Sequence, residues 1–189
     1  WDADFLNTIY SNIPQNLLQR YPDSSQFYAV LAGFLGIDQE NILVTSGIDE
    51  AIRNFILLNC DKQNGFFTNS PAYAMYQVYA KILGVDVTVV QPVPEKFLSP
   101  STLISQIPKK TNLVFIANPS QPVENCFSVD QLHEIAKFCE KENQVLVIDE
   151  AYQYFGGPDA IPLINDFNNI AVMRSFSKAF GGASLRLGY

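Results

Sequence analysis

The run Val145-Leu146-Val147-Ile148-Asp149-Glu150-Ala151-Tyr152 decides how the rest of the chain is read. Its four leading apolar residues, three of them β-branched, fit a strand covered on both faces, the kind found inside a parallel sheet. The run then stops at a carboxylate. An acid just past a buried strand is placed to meet a ligand, although a helix cap or an ordinary surface turn would also put one there.

On either side, short apolar, β-branched or aromatic runs alternate with amphipathic stretches. Strands are predicted at Asn41–Thr45, Gly65–Thr68, Val85–Val90, Asn112–Ala117, Val145–Asp149 and Ala171–Arg174. Helices are predicted at Ser25–Leu35, Asp49–Asn59, Ala72–Leu83, Ser101–Ile107 and Val129–Glu142. Strands separated by helices make βαβ units, so the expected fold class is α/β, a mostly parallel sheet with helices on both faces. Such sheets bind ligands outside the carboxyl ends of their strands. Pro92-Val93-Pro94, Pro100 and Gly156-Gly157-Pro158 punctuate loops within this pattern.

The 189 residues, nearly half of them apolar, suffice for one sizeable core. Twelve basic against 19 acidic residues leave a net charge of −7, which repels nucleic acid and anionic membranes and makes small molecules the expected partners. No stretch approaches the roughly 18 consecutive apolar residues of a spanning helix, and the N-terminus lacks a secretory pattern, so a cytoplasmic protein is expected. Cys60, Cys126 and Cys139 are odd in number and widely spaced, and His133 is the single histidine; neither a disulfide framework nor a zinc site is expected. His133 itself reads as a partly exposed residue of an amphipathic helix. No G-x-G-x-x-G follows a predicted strand, which sets aside a nicotinamide-binding fold. The chain starts at Trp1 and stops at Tyr189 straight after an apolar, Arg-containing run, and both ends read as cut.

Several further segments carry chemistry. In Met173-Arg174-Ser175-Phe176-Ser177-Lys178-Ala179-Phe180-Gly181-Gly182, a lysine follows two hydroxyls in a weakly charged, small-residue stretch. Lysines are usually solvated, but an amine in such a place can lose its proton and attack a carbonyl. Arg186, with Ser175 and its neighbours, would make a phosphate cradle. Val44-Thr45-Ser46-Gly47-Ile48-Asp49-Glu50 reads as a Gly turn into a helix start whose free amides suit an anion, though many βα turns look alike. Asn118, between apolar Phe115-Ile116-Ala117 and Pro119, sits at a strand end, where an Asx turn is the plain alternative. Tyr73 stands at a helix start, where core packing is the plain alternative.

Taken in order, Asn118-Pro-x-x-Pro122, Asp149-Glu-Ala-Tyr152, Ser175-Phe-Ser177-Lys178 and Arg186 resemble the class I/II pyridoxal-phosphate-dependent aminotransferases of the aspartate-aminotransferase fold. Tyr21-Pro-Asp, Ser46-Gly47-Ile48-Asp49-Glu50-Ala51-Ile52 and Pro71-Ala-Tyr73-Ala-Met-Tyr76 look like the histidinol-phosphate aminotransferase subgroup. The likeness runs from about Pro14 to the end.

The resemblance implies that Lys178 holds pyridoxal 5′-phosphate as a Schiff base and, once released, moves the proton between substrate and cofactor. Asp149 would pair with the pyridine nitrogen, keeping the ring an electron sink. Asn118 and Tyr152 would hydrogen-bond its phenolic oxygen, and Tyr73 would stack on the ring. Ser175, Ser177, Arg186 and the backbone around Gly47, Ile48 and Asp49 would hold the phosphate, joined by Tyr21 from a neighbouring subunit in a homodimer. Residues 21–189 would be the cofactor-binding large domain after an N-terminal segment, 1–20. A C-terminal small domain, with the arginine that grips the substrate carboxylate, would lie past Tyr189. The family usually continues Asn-Pro-x-x-Pro with Thr-Gly; here Val123-Glu124 follow. The implied reaction is transamination of an amino acid such as histidinol phosphate with 2-oxoglutarate. The rivals are a phosphothreonine-type decarboxylase, which shares these motifs, and a non-catalytic cofactor-binding fragment.

Overall fold

The computed structural model describes residues 1–14, 16, 19–69, 73–90, 98–122 and 126–189. Ala72, the prolines at 92 and 94 and the Val123-Glu124 departure lie outside them. The chain falls into two compact units, Trp1–Leu43 and Val44–Tyr189.

Among the described residues, the first unit carries the α-helices α1 (Ala3–Ser11) and α2 (Ser25–Leu35). Asp2 caps α1 by accepting the Phe5 N–H at 2.8 Å, an N-cap signal that the sequence reading passed over. Gly36, at φ 70°, ends α2 in the left-handed conformation that favours glycine. Tyr21 is fully exposed.

The second unit contains α3 (Gly47–Asn59), β1 (Gly65–Thr68), α4 (Met75–Leu83), β2 (Val87–Val89), α5 (Pro100–Ile104), β3 (Thr111–Ala117), α6 (Val129–Lys141), β4 (Val145–Asp149) and β5 (Ile170–Met173). The five strands form one sheet in the order β2-β1-β3-β4-β5, every pair parallel. This is the expected α/β architecture. The central strands β3 and β4 are mostly apolar because they are covered on both faces, whereas the edge strand β2 leaves Thr88 exposed. Along β3, Val114 and Ile116 face a core shared with Leu103 of α5 and with Leu132, Ile135 and Cys139 of α6. The alternate residues Leu113 and Phe115 face Ile52 and Ile56 of α3 and Tyr76 and Ala80 of α4.

Helix starts follow local chemistry. Ser99 accepts the Thr102 N–H ahead of Pro100, which opens α5. A reciprocal pair between Ser128 and Gln131 opens α6. His133 is exposed on α6, its ring centroid 4.9 Å from that of Phe167 in an edge-on arrangement.

One predicted strand is absent. A turn of 3-10 helix, Gln39–Asn41, runs into the start of the predicted Asn41–Thr45 range, and Thr45 makes an isolated antiparallel bridge to Gly188 in place of a strand ladder. An extended apolar run becomes a strand only where a neighbour's N–H and C=O groups accompany it in a continuous ladder, and an isolated bridge is not one.

The strand order sets the place of the site. The chain leaves β1 toward one side, to β2, then returns to β3 on the other side and proceeds outward. Crevices for ligands form at such reversals, beyond the carboxyl ends of the strands. At this reversal the buried Asn69 side chain accepts the Ala117 N–H at 2.9 Å and donates to the Ala117 carbonyl at 3.2 Å, tying β1 to β3.

Candidate active site

Asp149 ends β4 in register with Ala117 of β3 and Met173 of β5, so three strand ends deliver their next residues to one place. There a cavity of about 210 Å³ is lined by Gly47, Ile48, Asp49, Tyr73, Asp149, Tyr152, Ser175, Ser177, Lys178 and Arg186, together with Ala117, Pro119, Gln121 and Ala151. The first ten are residues that the sequence reading named.

One wall is built to hold an anion. Gly47 opens α3 at φ 72°, a conformation that favours glycine, and its own N–H donates to the Thr45 carbonyl at 2.8 Å; the N–H groups of Ile48 and Asp49 follow it ahead of the intrahelical ladder. Glu50 fastens the preceding turn by accepting the Ser46 N–H at 2.6 Å. Ser175 accepts the Ser177 N–H at 3.0 Å, which folds that loop back on itself. The segment at the end of the chain binds both parts together: Gly188 exchanges hydrogen bonds with Thr45 at 2.8 and 3.0 Å and also bridges to Ser175. Only glycine fits there, since a Cβ on Gly188 would lie 2.8 Å from the Ile48 nitrogen. Arg186 is carried over α3 by the same segment, and its guanidinium is 3.1 Å from the Asp49 carboxylate.

The same cavity carries the acid. Asp149 is 5% exposed. Its Oδ2 accepts the Tyr76 hydroxyl at 2.6 Å and its Oδ1 accepts the Ala151 N–H at 3.1 Å. Burial pushes this carboxyl above its ordinary value, while the Tyr76 and Ala151 hydrogen bonds and the Lys178 charge pull it back. The surface-turn alternative therefore fails, since the carboxylate lines the cavity and is almost wholly out of solvent.

Lys178 stands at the mouth, exposed, with Nζ 5.2 Å from the Tyr152 ring centroid. The small-residue stretch does not bury it. Tyr73 is about half exposed, not core-packed; partial burial and then the Asp49 charge raise its hydroxyl above the ordinary phenol value.

One of the named residues of this unit is not brought to the cavity wall. Asn118 is fully buried beneath it, with its side chain donating to the Phe127 carbonyl at 3.1 Å and accepting the Phe127 N–H at 2.7 Å. This clamp spans nine residues and is not an Asx turn. Tyr21 belongs to the other compact unit.

Sequence reasoning also missed supporting residues. Tyr76 figured only in a motif phrase; its place three residues after Tyr73, inside the apolar periodicity of α4, was the available signal. Behind the site, buried Arg174 donates to Glu150 at 2.8 Å and reaches Asp159 at 2.5 Å, while Glu150 also accepts the Ala160 N–H at 2.8 Å. This ion pair joins the residue after Asp149 to the residue before Ser175, and a charged residue at each of two apolar strand ends was its only trace in the sequence.

An amine, a buried acid and an anion cradle around one cavity are the donor set that pyridoxal phosphate requires, so the residues present fit the cofactor implied by the resemblance. The sequence is 36% identical over 172 residues to histidinol-phosphate aminotransferase of Pyrococcus furiosus, covering 90% of this chain and 49% of that protein. It is 34% identical to the Thermoanaerobacter pseudethanolicus enzyme of the same name over 98% of this chain and 53% of that one. Among solved structures, histidinol-phosphate aminotransferase of Sinorhizobium meliloti in complex with pyridoxal-5′-phosphate superposes with a TM-score of 0.81 at 25% identity, covering 99% of this chain and 52% of that chain. The chain thus spans about half the length of the curated relatives it matches. The family model described as aminotransferase class I and II matches residues 12–189, and the chain belongs to that family.

Proposed function

We propose that this protein is a pyridoxal-phosphate-dependent transaminase that takes an amino group from histidinol phosphate, or a donor of that phosphorylated kind, and gives it to 2-oxoglutarate. The observation that carries the reading is the convergence of Lys178, Asp149 and the Gly47–Arg186 cradle on one cavity.

When bound, the cofactor supplies an aldehyde for covalent attachment and a ring that withdraws electrons from the substrate α-carbon. The chain's residues do the rest. Lys178 holds the cofactor covalently, and its freed amine carries a proton to and from the α-carbon. Asp149 keeps a proton on the ring nitrogen. Tyr152 donates to the phenolic oxygen, and Asn118, whose amide has a second N–H beyond the one given to Phe127, serves the same oxygen. Tyr73 covers one ring face. Ser175, Ser177, Arg186 and the backbone that follows Gly47, with the N–H groups of Ile48 and Asp49, hold the phosphate, a placement that helix N-termini favour. In this reading the protein is a cytoplasmic homodimer, and Tyr21 serves the phosphate of the neighbouring subunit.

A phosphothreonine-type decarboxylase would use the same groups around the cofactor. The histidinol-phosphate aminotransferase relatives at 34–36% identity favour transamination. The test has two parts, both on the intact protein. Borohydride reduction after loading, followed by peptide mapping, is expected to place the label on Lys178. Incubation with histidinol phosphate and 2-oxoglutarate is expected to yield glutamate; release of carbon dioxide from phosphothreonine with no glutamate would replace transamination by decarboxylation.

A further inference from the structure

Asp149 is held from below by a residue with no assigned part in the chemistry. Tyr76 is fully buried in the core on the α3 and α4 side of the sheet, its ring centroid 4.9 Å from that of Phe115. Packing fixes the ring, so the hydroxyl cannot turn to water. It points at Asp149 Oδ2 from 2.6 Å, the short range of a hydroxyl donating to an ionised carboxylate.

The surroundings of Asp149 compete. Burial and the Asp49 charge favour the neutral acid; the Tyr76 and Ala151 donors and the Lys178 charge favour the carboxylate. A donor to the ionised form stabilises that form. When the ring nitrogen and Asp149 share one proton, whatever stabilises the carboxylate moves the proton toward the nitrogen. Resting on the pyridoxal phosphate reading above, we propose that Tyr76 is a positioning residue, acting through Asp149 to fix the carboxylate's orientation and to keep the proton on the ring nitrogen. Its plain alternative is a core tyrosine whose hydroxyl merely finds an acceptor.

The substitution Tyr76→Phe removes the hydroxyl and keeps the ring. The intact protein is loaded with pyridoxal phosphate carrying ¹⁵N in the ring, and the nitrogen shift is read by NMR. In Tyr76→Phe it is expected to move toward the unprotonated value, and cofactor affinity is expected to fall about tenfold, the scale of one hydrogen bond to a charged group. In an Asp149→Asn background, Tyr76→Phe should move neither quantity. An analogue with C–H in place of the ring nitrogen should bind wild type and Tyr76→Phe equally. If Tyr76→Phe does not fold, 3-fluorotyrosine at position 76, a more acidic donor of nearly the same shape, should move the shift toward the protonated value.

An unchanged shift with the cofactor attached at Lys178, or an equal affinity loss for the analogue, overturns this proposal and leaves the functional reading standing. Failure of wild type to attach the cofactor at Lys178 overturns the functional reading itself.

Discussion

Arg186 and Asp49, 137 positions apart in sequence, meet at 3.1 Å across the first turn of α3. The pair is partly exposed, and exposed ion pairs contribute only about 0–1 kcal/mol. A phosphate, with two charges and three acceptor oxygens, competes well for the same guanidinium. Arg186→Ala is therefore expected to weaken pyridoxal phosphate binding about 10- to 100-fold, by loss of a charge-assisted contact. Asp49→Asn removes a negative charge from the cradle and is expected to leave affinity unchanged or raise it. Titration of the apo protein followed by absorbance measures both, and a large loss in Asp49→Asn would mean that the carboxylate itself positions the cradle.

The titration of Asp149 makes a signed prediction. Its folded value lies above the ordinary 3.8 because of burial. Between the two values the folded apo protein holds a proton that the unfolded chain has released. The stability this lends is fully present below the unfolded value and is lost as pH rises through the folded value. Asp149→Asn mimics the neutral acid at every pH, so the variant should gain stability relative to wild type as pH rises from about 4. Glu150, which burial pushes up to about 7, titrates in an overlapping range but is present in both proteins and cancels in the difference. Urea unfolding of the apo forms at several pH values provides the measurement; a pH-independent difference would show that Asp149 titrates alike folded and unfolded. Bound cofactor, with a cationic ring nitrogen opposite the carboxylate, should abolish or invert the trend.

The Arg174–Glu150 pair predicts a non-additive response. Both side chains are almost wholly buried. Removing one partner leaves a buried charge uncompensated, so Arg174→Met should cost about 3–5 kcal/mol of stability. Adding Glu150→Gln in the same chain should recover much of that loss, because a neutral amide in that place no longer needs a cation. Since Arg174 adjoins Ser175, the single variant should also weaken cofactor binding. Chemical denaturation of the four proteins of the cycle checks the coupling, and additive losses would show that the two side chains do not act as a unit.

Local pattern was enough for the sheet. Gly65–Thr68 and Val145–Asp149 have the predicted boundaries, and so does the helix Ser25–Leu35, because buried parallel strands are continuous apolar runs and surface helices repeat their apolar face at fixed spacing. The ordered motifs from Gly47 to Arg186 also marked most of the cavity wall, since the carboxyl ends of parallel strands are where such a fold exposes backbone and side chains to a ligand.

Partner choice was not written in local pattern. Asn41–Thr45 has the composition of a strand yet forms none, Thr45 making an isolated bridge to Gly188. Asn118 has the chemistry to face the cavity, and the Phe127 backbone takes its side-chain oxygen and one of its two N–H groups. Tyr76 has the spacing of a core residue and is one, and that the same hydroxyl meets Asp149, 73 positions away, follows from how α4 lies on the sheet. The sequence alone determined which elements form and which residue types gather at the strand ends, because burial periodicity and turn chemistry act over a few residues. The tertiary structure decided which buried donor meets which buried acceptor, because that pairing depends on packing between elements far apart in the chain.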